Sequence, residues 1–390
     1  MKQFELTFFY GPRPARYDDA ATFEAIAASG ITLTQLGGTP EECKKALVRC
    51  AEAGLRMNVC DGRVGAALDA DETECDRIVR EICEDYRGYE ALNGFDLVDE
   101  PHASRFDAIG RVVAAFRRHA PQCETVINLF PNYANAEQLG NATYDEHLAE
   151  FIARVRPDFV SYDHYHFLGR DCPKPDFTPT GDRRSDLILE NAYLENDRPG
   201  FFENAEAVRR HARANGLDAM AIVLLTEHGP YRNLTRAELS WEAAMCLAYG
   251  FRRVSYFTYE VPVGADDDAW RWDNAMVDAE GNKYQHYYDV QAIARWLLPL
   301  GRHLFPLDCE RVVHTASEPL QHGNVRAVTG NAVCGCYSDG SVLLVNKSHL
   351  RAETFTVTAE DLTCYLPEED RFVPCDGTIT LDAGACVLVK

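Results

Sequence analysis

The feature that most constrains this chain is an alternation of strand-like and helix-like segments that continues for about 300 residues. Eight runs rich in apolar and β-branched residues are each followed by a stretch with the periodicity of an amphipathic helix. The runs occupy residues 4–11, 31–38, 55–62, 94–101, 124–132, 157–167, 219–229 and 253–262. Eight β/α units predict an α/β fold, the (β/α)8 TIM barrel, in which all strands are parallel.

Helix boundaries are well marked in the sequence. Residues 39–42 and 235–238 have the capping-box pattern, and Gly30, Gly54 and Gly250 stand where helices should stop. A doubly wound sheet could be built from the same units. However, no G-x-G-x-x-G turn follows the first strand, so nothing in the sequence supports nucleotide binding.

The pattern changes at about residue 305. The stretches "AVTGNAVCGCYSDGSVLLVNKS", "AETFTVTAED" and "GTITLDAGACVLVK" contain short strands separated by turns, without a helical pattern. They predict a small antiparallel β-sandwich. We therefore expect a catalytic barrel over residues 1–304 and a C-terminal β-sandwich over residues 305–390.

Charge and hydropathy limit the partners. The formal net charge is −22, from 61 acidic and 39 basic residues, which argues against nucleic acid and anionic membranes and favours a neutral or cationic small substrate. No apolar run approaches the roughly 20 residues that span a bilayer. Because the N-terminus lacks a convincing signal peptide, we expect a cytoplasmic protein, and a homo-oligomer remains open.

Two glutamates stand where the chemistry of such a barrel is found, at the carboxyl ends of strands. Glu100 ends the run "GFDLVDEP", and Glu227 follows "AIVLLT". Removing a carboxylate from water costs free energy, so a carboxylate at the end of a buried strand is expected to have a function. Strands 4 and 7 face each other across the barrel mouth, so the two carboxyl groups can flank one bond of a bound molecule. Such a pair suits glycoside hydrolysis, which needs no cofactor.

Other polar and aromatic residues near the strand ends are candidates for binding a small carbohydrate. Aromatic side chains offer flat apolar faces to sugar rings, and polar side chains hydrogen-bond to hydroxyl groups. The candidates are Tyr10, Arg13, Asp61, Arg63, Asp99, Asn128, His164, Tyr165, Tyr259 and Trp270.

These motifs resemble those of the retaining glycoside hydrolases of clan A. "DEP" at 99–101 and "TEHG" at 226–229 match the positions of the acid/base and nucleophile glutamates, and residues 275–301 are similar to family-42 β-galactosidases. The resemblance implies that Glu100 is the general acid/base, that Glu227 is the nucleophile and that Tyr165 hydrogen-bonds to the nucleophile. It also implies a β-linked substrate, with galactosides as the nearest example.

Two departures from that family bear on the substrate. The asparagine that usually precedes the acid/base is Asp99 here; the usual amide donates to the sugar 2-hydroxyl, whereas a carboxylate can only accept. The chain also has no room for the separate middle domain of typical family-42 enzymes.

Two alternatives stay open at this point. Glu100, His102, Asp163 and His164 offer carboxylate and imidazole groups that could bind a divalent metal, as in a barrel sugar isomerase. That hypothesis leaves Glu227 and the β domain without a role. The other alternative is a sugar-binding barrel without catalysis, against which the intact glutamate pair speaks.

Overall fold

The computed structural model describes residues 1–169, 197–262 and 271–390. The first part of the chain is built around eight strands, each overlapping one of the eight predicted runs. The strands are β1 (Glu5–Phe9), β2 (Leu33–Gly38), β3 (Arg56–Asp61), β4 (Leu92–Asp99), β5 (Glu124–Leu129), β6 (Phe159–His164), β7 (Asp218–Leu224) and β8 (Arg253–Phe257). The predicted α/β barrel is confirmed.

The strands form one parallel sheet that is nearly closed on itself. Their order is β1-β8-β7-β6-β5-β4-β3-β2. At the seam between β1 and β2, the backbone N–H of Thr32 donates to the carbonyl of Leu6 at 2.9 Å. Because every strand runs in the same direction, the carboxyl ends of all eight meet at one mouth.

Helices connect the strands, and their ends follow the predicted signals. The described helices are α1 (Ala20–Ala28), α2 (Pro40–Glu52), α3 (Arg63–Asp69), α4 (Glu72–Tyr86), α5 (Phe106–His119), α6 (Ala136–Leu139), α7 (Tyr144–Val155), α8 (Phe201–Ala214), α9 (Arg236–Ala248) and α10 (Gln285–Leu304). Both predicted capping boxes form, and the three stop glycines have left-handed φ angles. Within the described ranges, no helix combines the length and apolarity that crossing a membrane requires.

The amino-terminal end of the barrel is closed by ion pairs between the first residues of strands. Arg253, which is 1 % exposed, donates from Nη1 and Nη2 to the two carboxylate oxygens of Glu124 at 2.6 and 3.1 Å. Arg56 pairs with the buried Glu5. Breaking such a buried pair would leave a charge without compensation. These side chains fill the floor of the barrel, so the open end is the carboxyl end.

The last part of the chain forms two antiparallel sheets, as the predicted β-sandwich requires. The strands are β9 (Cys309–His314), β10 (Val325–Thr329), β11 (Ala332–Tyr337), β12 (Val342–Asn346), β13 (Glu353–Ala359), β14 (Thr363–Leu366), β15 (Arg371–Pro374), β16 (Thr378–Leu381) and β17 (Cys386–Val389). One sheet has the order β10-β13-β16 and the other β15-β14-β17-β12-β11-β9.

The β domain packs against helix α9 of the barrel. Trp241 is buried, and its Nε1 donates to the carbonyl of Lys347 at 2.9 Å. The hydroxyl of Tyr337 donates to the carbonyl of Leu247. The larger sheet therefore covers the outside of α9, the helix that follows β7.

Candidate active site

Glu100 follows directly on the last residue of β4. Its backbone N–H donates to the carbonyl of Asn128 on β5 at 2.8 Å, which extends the pairing of the two strands by one residue. Its φ is +43°, in the left-handed region that non-glycine residues rarely adopt. Such strain costs about 1–3 kcal/mol and persists where the surroundings enforce it, most often at functional sites.

Glu100 belongs to a group of acidic side chains at the ends of β4 and β6. Asn128 Nδ2 donates to Oδ1 of Asp99 at 3.0 Å and to Oδ1 of Asp163 at 2.9 Å. The carboxyl groups of Glu100 and Asp163 are in hydrogen-bond contact. We call Asp99, Glu100 and Asp163 the carboxyl cluster. Asn128 holds two of its members in place.

The protonation of this cluster departs from that of free acids. Burial and, secondly, the charge of Asp99 raise the pKa of Glu100 to about 7. Burial and the charges of Glu100 and Asp99 raise the pKa of Asp163 well above its usual range. Two carboxyl groups in contact do not both ionise readily, so Glu100 and Asp163 hold at least one proton between them at neutral pH. A general acid needs that state.

Glu227 lies three residues beyond β7 and is half-buried. Asn274, in the segment after β8, donates from Nδ2 to Glu227 Oε2 at 2.7 Å. The backbone N–H of Asp273 donates to the carbonyl of Glu227 at 3.0 Å. In the described part of the chain, Glu227 Oε1 accepts no hydrogen bond, so one carboxylate oxygen is held and the other is left for a ligand.

Tyr165 differs from the expectation that it hydrogen-bonds to the nucleophile. Its ring packs against His228, Tyr231 and Phe257, with centroid distances of 5.9, 5.4 and 5.3 Å. Its pKa is raised by burial and by the charge of Asp163. Among the described residues, the side-chain hydrogen bond to Glu227 comes from Asn274 instead.

An aromatic wall stands beside Glu227. The ring of His228 stacks on Trp272 at 4.3 Å with an interplanar angle of 17°. Burial lowers the pKa of His228 to about 4, so the imidazole is neutral, and its Nδ1–H donates to the carbonyl of Thr226 at 2.7 Å. A neutral, stacked surface of this kind suits the apolar face of a sugar ring.

Several predicted binding residues are engaged with other protein groups. Arg13 donates from Nε to the buried Glu260 at 2.7 Å. Arg63 makes two side-chain hydrogen bonds to Asp61, at 3.0 and 2.8 Å, and a third to Asp85 at 2.8 Å. These ion pairs support the loops after β1 and β3, and the structure does not leave the charged groups unpaired for a ligand.

Of the remaining candidates, the side chain of Tyr10 is exposed and that of Tyr259 is buried. Tyr10, 39 % exposed, has a φ of +62°, and its carbonyl accepts from the N–H of Tyr259 at 3.1 Å. Tyr259 is buried, with its ring 5.0 Å from that of Phe8, so it supports the barrel wall. Trp270 lies outside the described residues.

The four residues of the metal-site alternative are not gathered round one point. His102 is exposed and its Nδ1 is hydrogen-bonded with Ser104. His164 is buried, with its Nδ1 3.1 Å from Oδ1 of Asn204, and burial holds its pKa well below the usual range. Over the ranges that the structure describes, no three His, Cys, Asp or Glu side chains form a metal-binding group.

Residues that the sequence did not single out complete the mouth. Arg198 contacts the rings of Tyr133 and Tyr231, and Asn274 holds Glu227. All four lie in connections after strands, where no periodic pattern marks a residue as important. Tyr133 and Tyr231 follow closely on β5 and β7, whereas Arg198 and Asn274 lie far along long connections, so their sequence positions gave no signal.

Comparison with known proteins supports the fold. No family model and no curated protein sequence matches the chain. Among solved structures, a family 5 glycoside hydrolase from Bacteroides vulgatus is similar over 99 % of this chain and 89 % of its own, with a TM-score of 0.61 and 9 % identity. A family 39 glycoside hydrolase from Bacteroides cellulosilyticus is similar over 99 % and 80 %, with a TM-score of 0.52 and 11 % identity.

Two β-galactosidases have the same architecture over part of their length. The enzyme from the psychrophilic Marinomonas ef1 matches over 78 % of this chain, with a TM-score of 0.54 and 11 % identity, and a family-42 enzyme from G. stearothermophilus over 76 %, with a TM-score of 0.52 and 10 % identity. The chain spans about three fifths of the length of these two proteins. At the level of fold, the resemblance of this chain to the glycoside hydrolases of clan A is confirmed.

Proposed function

We propose that the protein is an exo-acting, retaining glycosidase that removes a β-linked sugar from small oligosaccharides or glycosides. The observation that carries the proposal is the placement of Glu100 after β4 and Glu227 after β7. These strands are three positions apart in the eight-stranded barrel, and both glutamates lie at its mouth. The fold shared with β-galactosidases supports β-galactosides as the first neutral substrates to test.

In the first chemical step, Glu227 attacks the anomeric carbon while Glu100 gives its proton to the leaving oxygen. The C–O bond to the leaving group breaks, and a bond from the anomeric carbon to Glu227 forms. The raised pKa of Glu100 supports this role, because the acid must carry a proton near neutral pH. Asn274 keeps one oxygen of Glu227 in position, which leaves the other to attack.

In the second step, Glu100 acts as a base. Its carboxylate takes a proton from water, the water oxygen attacks the anomeric carbon, and Glu227 leaves as a carboxylate. A neutral Asp163 can then donate a hydrogen bond to the ionised Glu100, in agreement with its lowering effect on the pKa of that residue. Asp163 is therefore a positioning residue in this scheme.

The wider setting of the enzyme is part of the same proposal. We place it in the cytoplasm, without a cofactor, acting on a small carbohydrate and not on nucleic acid or membranes. The acidic surface, with a net charge of −22, supports this choice of partners. Association of copies of the chain into a homo-oligomer belongs to the same proposal, and sedimentation velocity would measure it.

A panel of 4-nitrophenyl glycosides tests the function. We expect release of nitrophenol from one or more β-glycosides, not from their α-anomers, and no loss of activity after exhaustive treatment with EDTA. Loss with EDTA and recovery with a divalent ion would favour the metal-dependent alternative. Binding of sugars without any turnover would favour the non-catalytic barrel.

The pH dependence provides a second test. Because Glu100 must be protonated, kcat/KM should fall as the pH rises through about 7, the pKa of this residue. Asp99→Asn removes a negative charge that raises this pKa, so the falling limb should move to lower pH, by roughly half a unit to one unit. Initial rates between pH 4 and about 9 measure the shift.

Asp361→Asn is the matched control, since it removes the charge of an exposed aspartate in the β domain. Its pH profile should coincide with that of the wild type. A falling limb that stays in place in Asp99→Asn, or moves to higher pH, would contradict the assignment of Glu100 as the acid.

A further inference from the structure

Arg198 is a cation in the barrel mouth with no carboxylate partner in the described part of the chain. Its Nε donates to the carbonyl of Tyr165 at 3.2 Å, and its Nη2 donates to the hydroxyl of Tyr231 at 3.2 Å. Its guanidinium carbon lies 4.0 Å from the centroid of the Tyr133 ring. The three tyrosines follow β6, β7 and β5, so Arg198 lies at the same end of the barrel as the carboxyl cluster.

Tyr133 and Tyr231, the two rings that contact the guanidinium of Arg198, lie next to the carboxyl cluster. The ring of Tyr133 lies edge-on to that of His164, with centroids 5.1 Å apart, and His164 directly follows Asp163 of the carboxyl cluster. After burial, the charge of Asp163 also contributes to the raised pKa of Tyr133 and of Tyr231. A ligand seated over the cluster would have the guanidinium of Arg198 beside it.

The pairing of Arg198 differs from that of other arginines near strand ends. Three of these are neutralised by carboxylates at 3.0 Å or less. The pairs are Arg13–Glu260, Arg63–Asp61 and Arg232–Glu238. A guanidinium has five N–H donors. Arg198 uses two on Tyr165 and Tyr231, and the other three have no partner within residues 1–169, 197–262 and 271–390.

The geometry of Arg198 suits a planar anion. Its face is packed on Tyr133, so the guanidinium is fixed and its edge remains for hydrogen bonds. The fork of N–H groups on that edge matches the two oxygens of a carboxylate, and charge-assisted pairs of this kind are about twice as strong as neutral hydrogen bonds. Because Arg198 is half-buried and has no counter-ion among the described residues, it gains further from a bound anion.

We propose that Arg198 forms an anion subsite beside the carboxyl cluster, and that the sugar removed by this enzyme carries a carboxylate, as hexuronic acids do. This inference rests on the proposed function and changes the expected substrates from neutral β-glycosides to β-hexuronides, so that the local charge of Arg198 outweighs the preference for a neutral or cationic substrate that the net charge of −22 indicates. The competing explanation is that Arg198 only offsets the charges of the carboxyl cluster. That role would affect neutral and anionic substrates alike.

Matched substrate pairs separate the two explanations. They are the 4-nitrophenyl β-D-glucuronide with the β-D-glucoside, and the β-D-galacturonide with the β-D-galactoside. We expect the wild type to prefer a uronide over its neutral partner by about 10-fold or more in kcat/KM. Arg198→Gln should lose about 100-fold on the uronide and only about 3-fold on the neutral glycoside. Arg198→Lys should recover part of the uronide activity.

Arg87→Gln is the matched control. It makes the same change in charge at an exposed position between α4 and β4, at the opposite end of the barrel. Its preference between the paired substrates should equal that of the wild type. A wild type that prefers the neutral partners, or an equal loss on both substrates in Arg198→Gln, would overturn the subsite.

A binding measurement keeps this test separate from that of the proposed function. If no glycoside of either kind is hydrolysed, the proposed function fails. Calorimetric titration with D-glucuronate and D-galacturonate, against D-glucose and D-galactose, still tests the subsite. Uronate binding that Arg198→Gln weakens by about 10-fold or more would support it. Uronate binding no tighter than that of the neutral sugars would overturn it.

Discussion

Glu227→Gly is expected to reduce hydrolysis by roughly four orders of magnitude or more, because no covalent glycosyl intermediate can form without the nucleophile. The space left by the side chain can admit a small anion. Added azide should then attack the anomeric carbon from the side of Glu227 and give a glycosyl azide of inverted configuration. Proton NMR of the product, through the coupling at the anomeric position, measures the outcome.

Glu90→Gly is the control for this experiment, since Glu90 is exposed between α4 and β4, far from the mouth. It should hydrolyse at the wild-type rate and form no azide. The assignment of Glu227 is wrong if its glycine variant retains wild-type turnover or yields an azide of retained configuration.

Glu100→Ala should show the second large effect, and its size should depend on the leaving group. Without a general acid, substrates with poor leaving groups should react roughly 10² to 10⁴ times more slowly. Dinitrophenyl glycosides need no protonation, so they should still glycosylate Glu227 in a rapid burst. The variant should then stall because no base activates water. Azide should release the intermediate with retained configuration.

Stopped-flow measurement of the burst, together with NMR of the azide, provides the evidence. Glu90→Ala serves as its control and should show neither the burst nor azide products. A steady rate without a burst, or an inverted azide, would place the acid/base role on another residue. The opposite stereochemistry of the two azide products is what separates the roles of Glu100 and Glu227.

Most of the barrel could be predicted from local sequence because its signals are local. Each strand is a short apolar run, and the helices begin and end at capping boxes and glycines. The position of Glu100 and Glu227 at strand ends follows from the same pattern once the strands are in parallel order. The spacing and polarity of the residues were therefore sufficient to predict the fold.

The partners of charged side chains could not be predicted in this way. The sequence presents Asp61 and Arg63 as two polar residues near a strand end, but it does not show that they bind each other and that Arg63 also binds Asp85. The sequence grouped Glu100 and Asp163, 63 positions apart, only as candidate ligands of a metal, and it did not show that their carboxyl groups contact each other directly. Such pairs depend on barrel closure, a property of the whole chain.

Loop residues were the hardest to predict. Arg198 and Asn274 have no apolar periodicity around them, and their importance comes from contacts made by the folded loops. Tyr165 shows the reverse case: the expected residue type lies after the expected strand, but its ring packs against Phe257, and Glu227 accepts its hydrogen bond from Asn274.

Natural selection for folding alone would remove Glu100. Glycine would relax its left-handed backbone, asparagine would tolerate it, and neither would place an acid in contact with Asp163. Selection for stability alone would therefore favour such replacements at position 100. The left-handed backbone of Glu100 is a cost in stability that its proposed role as the general acid would account for.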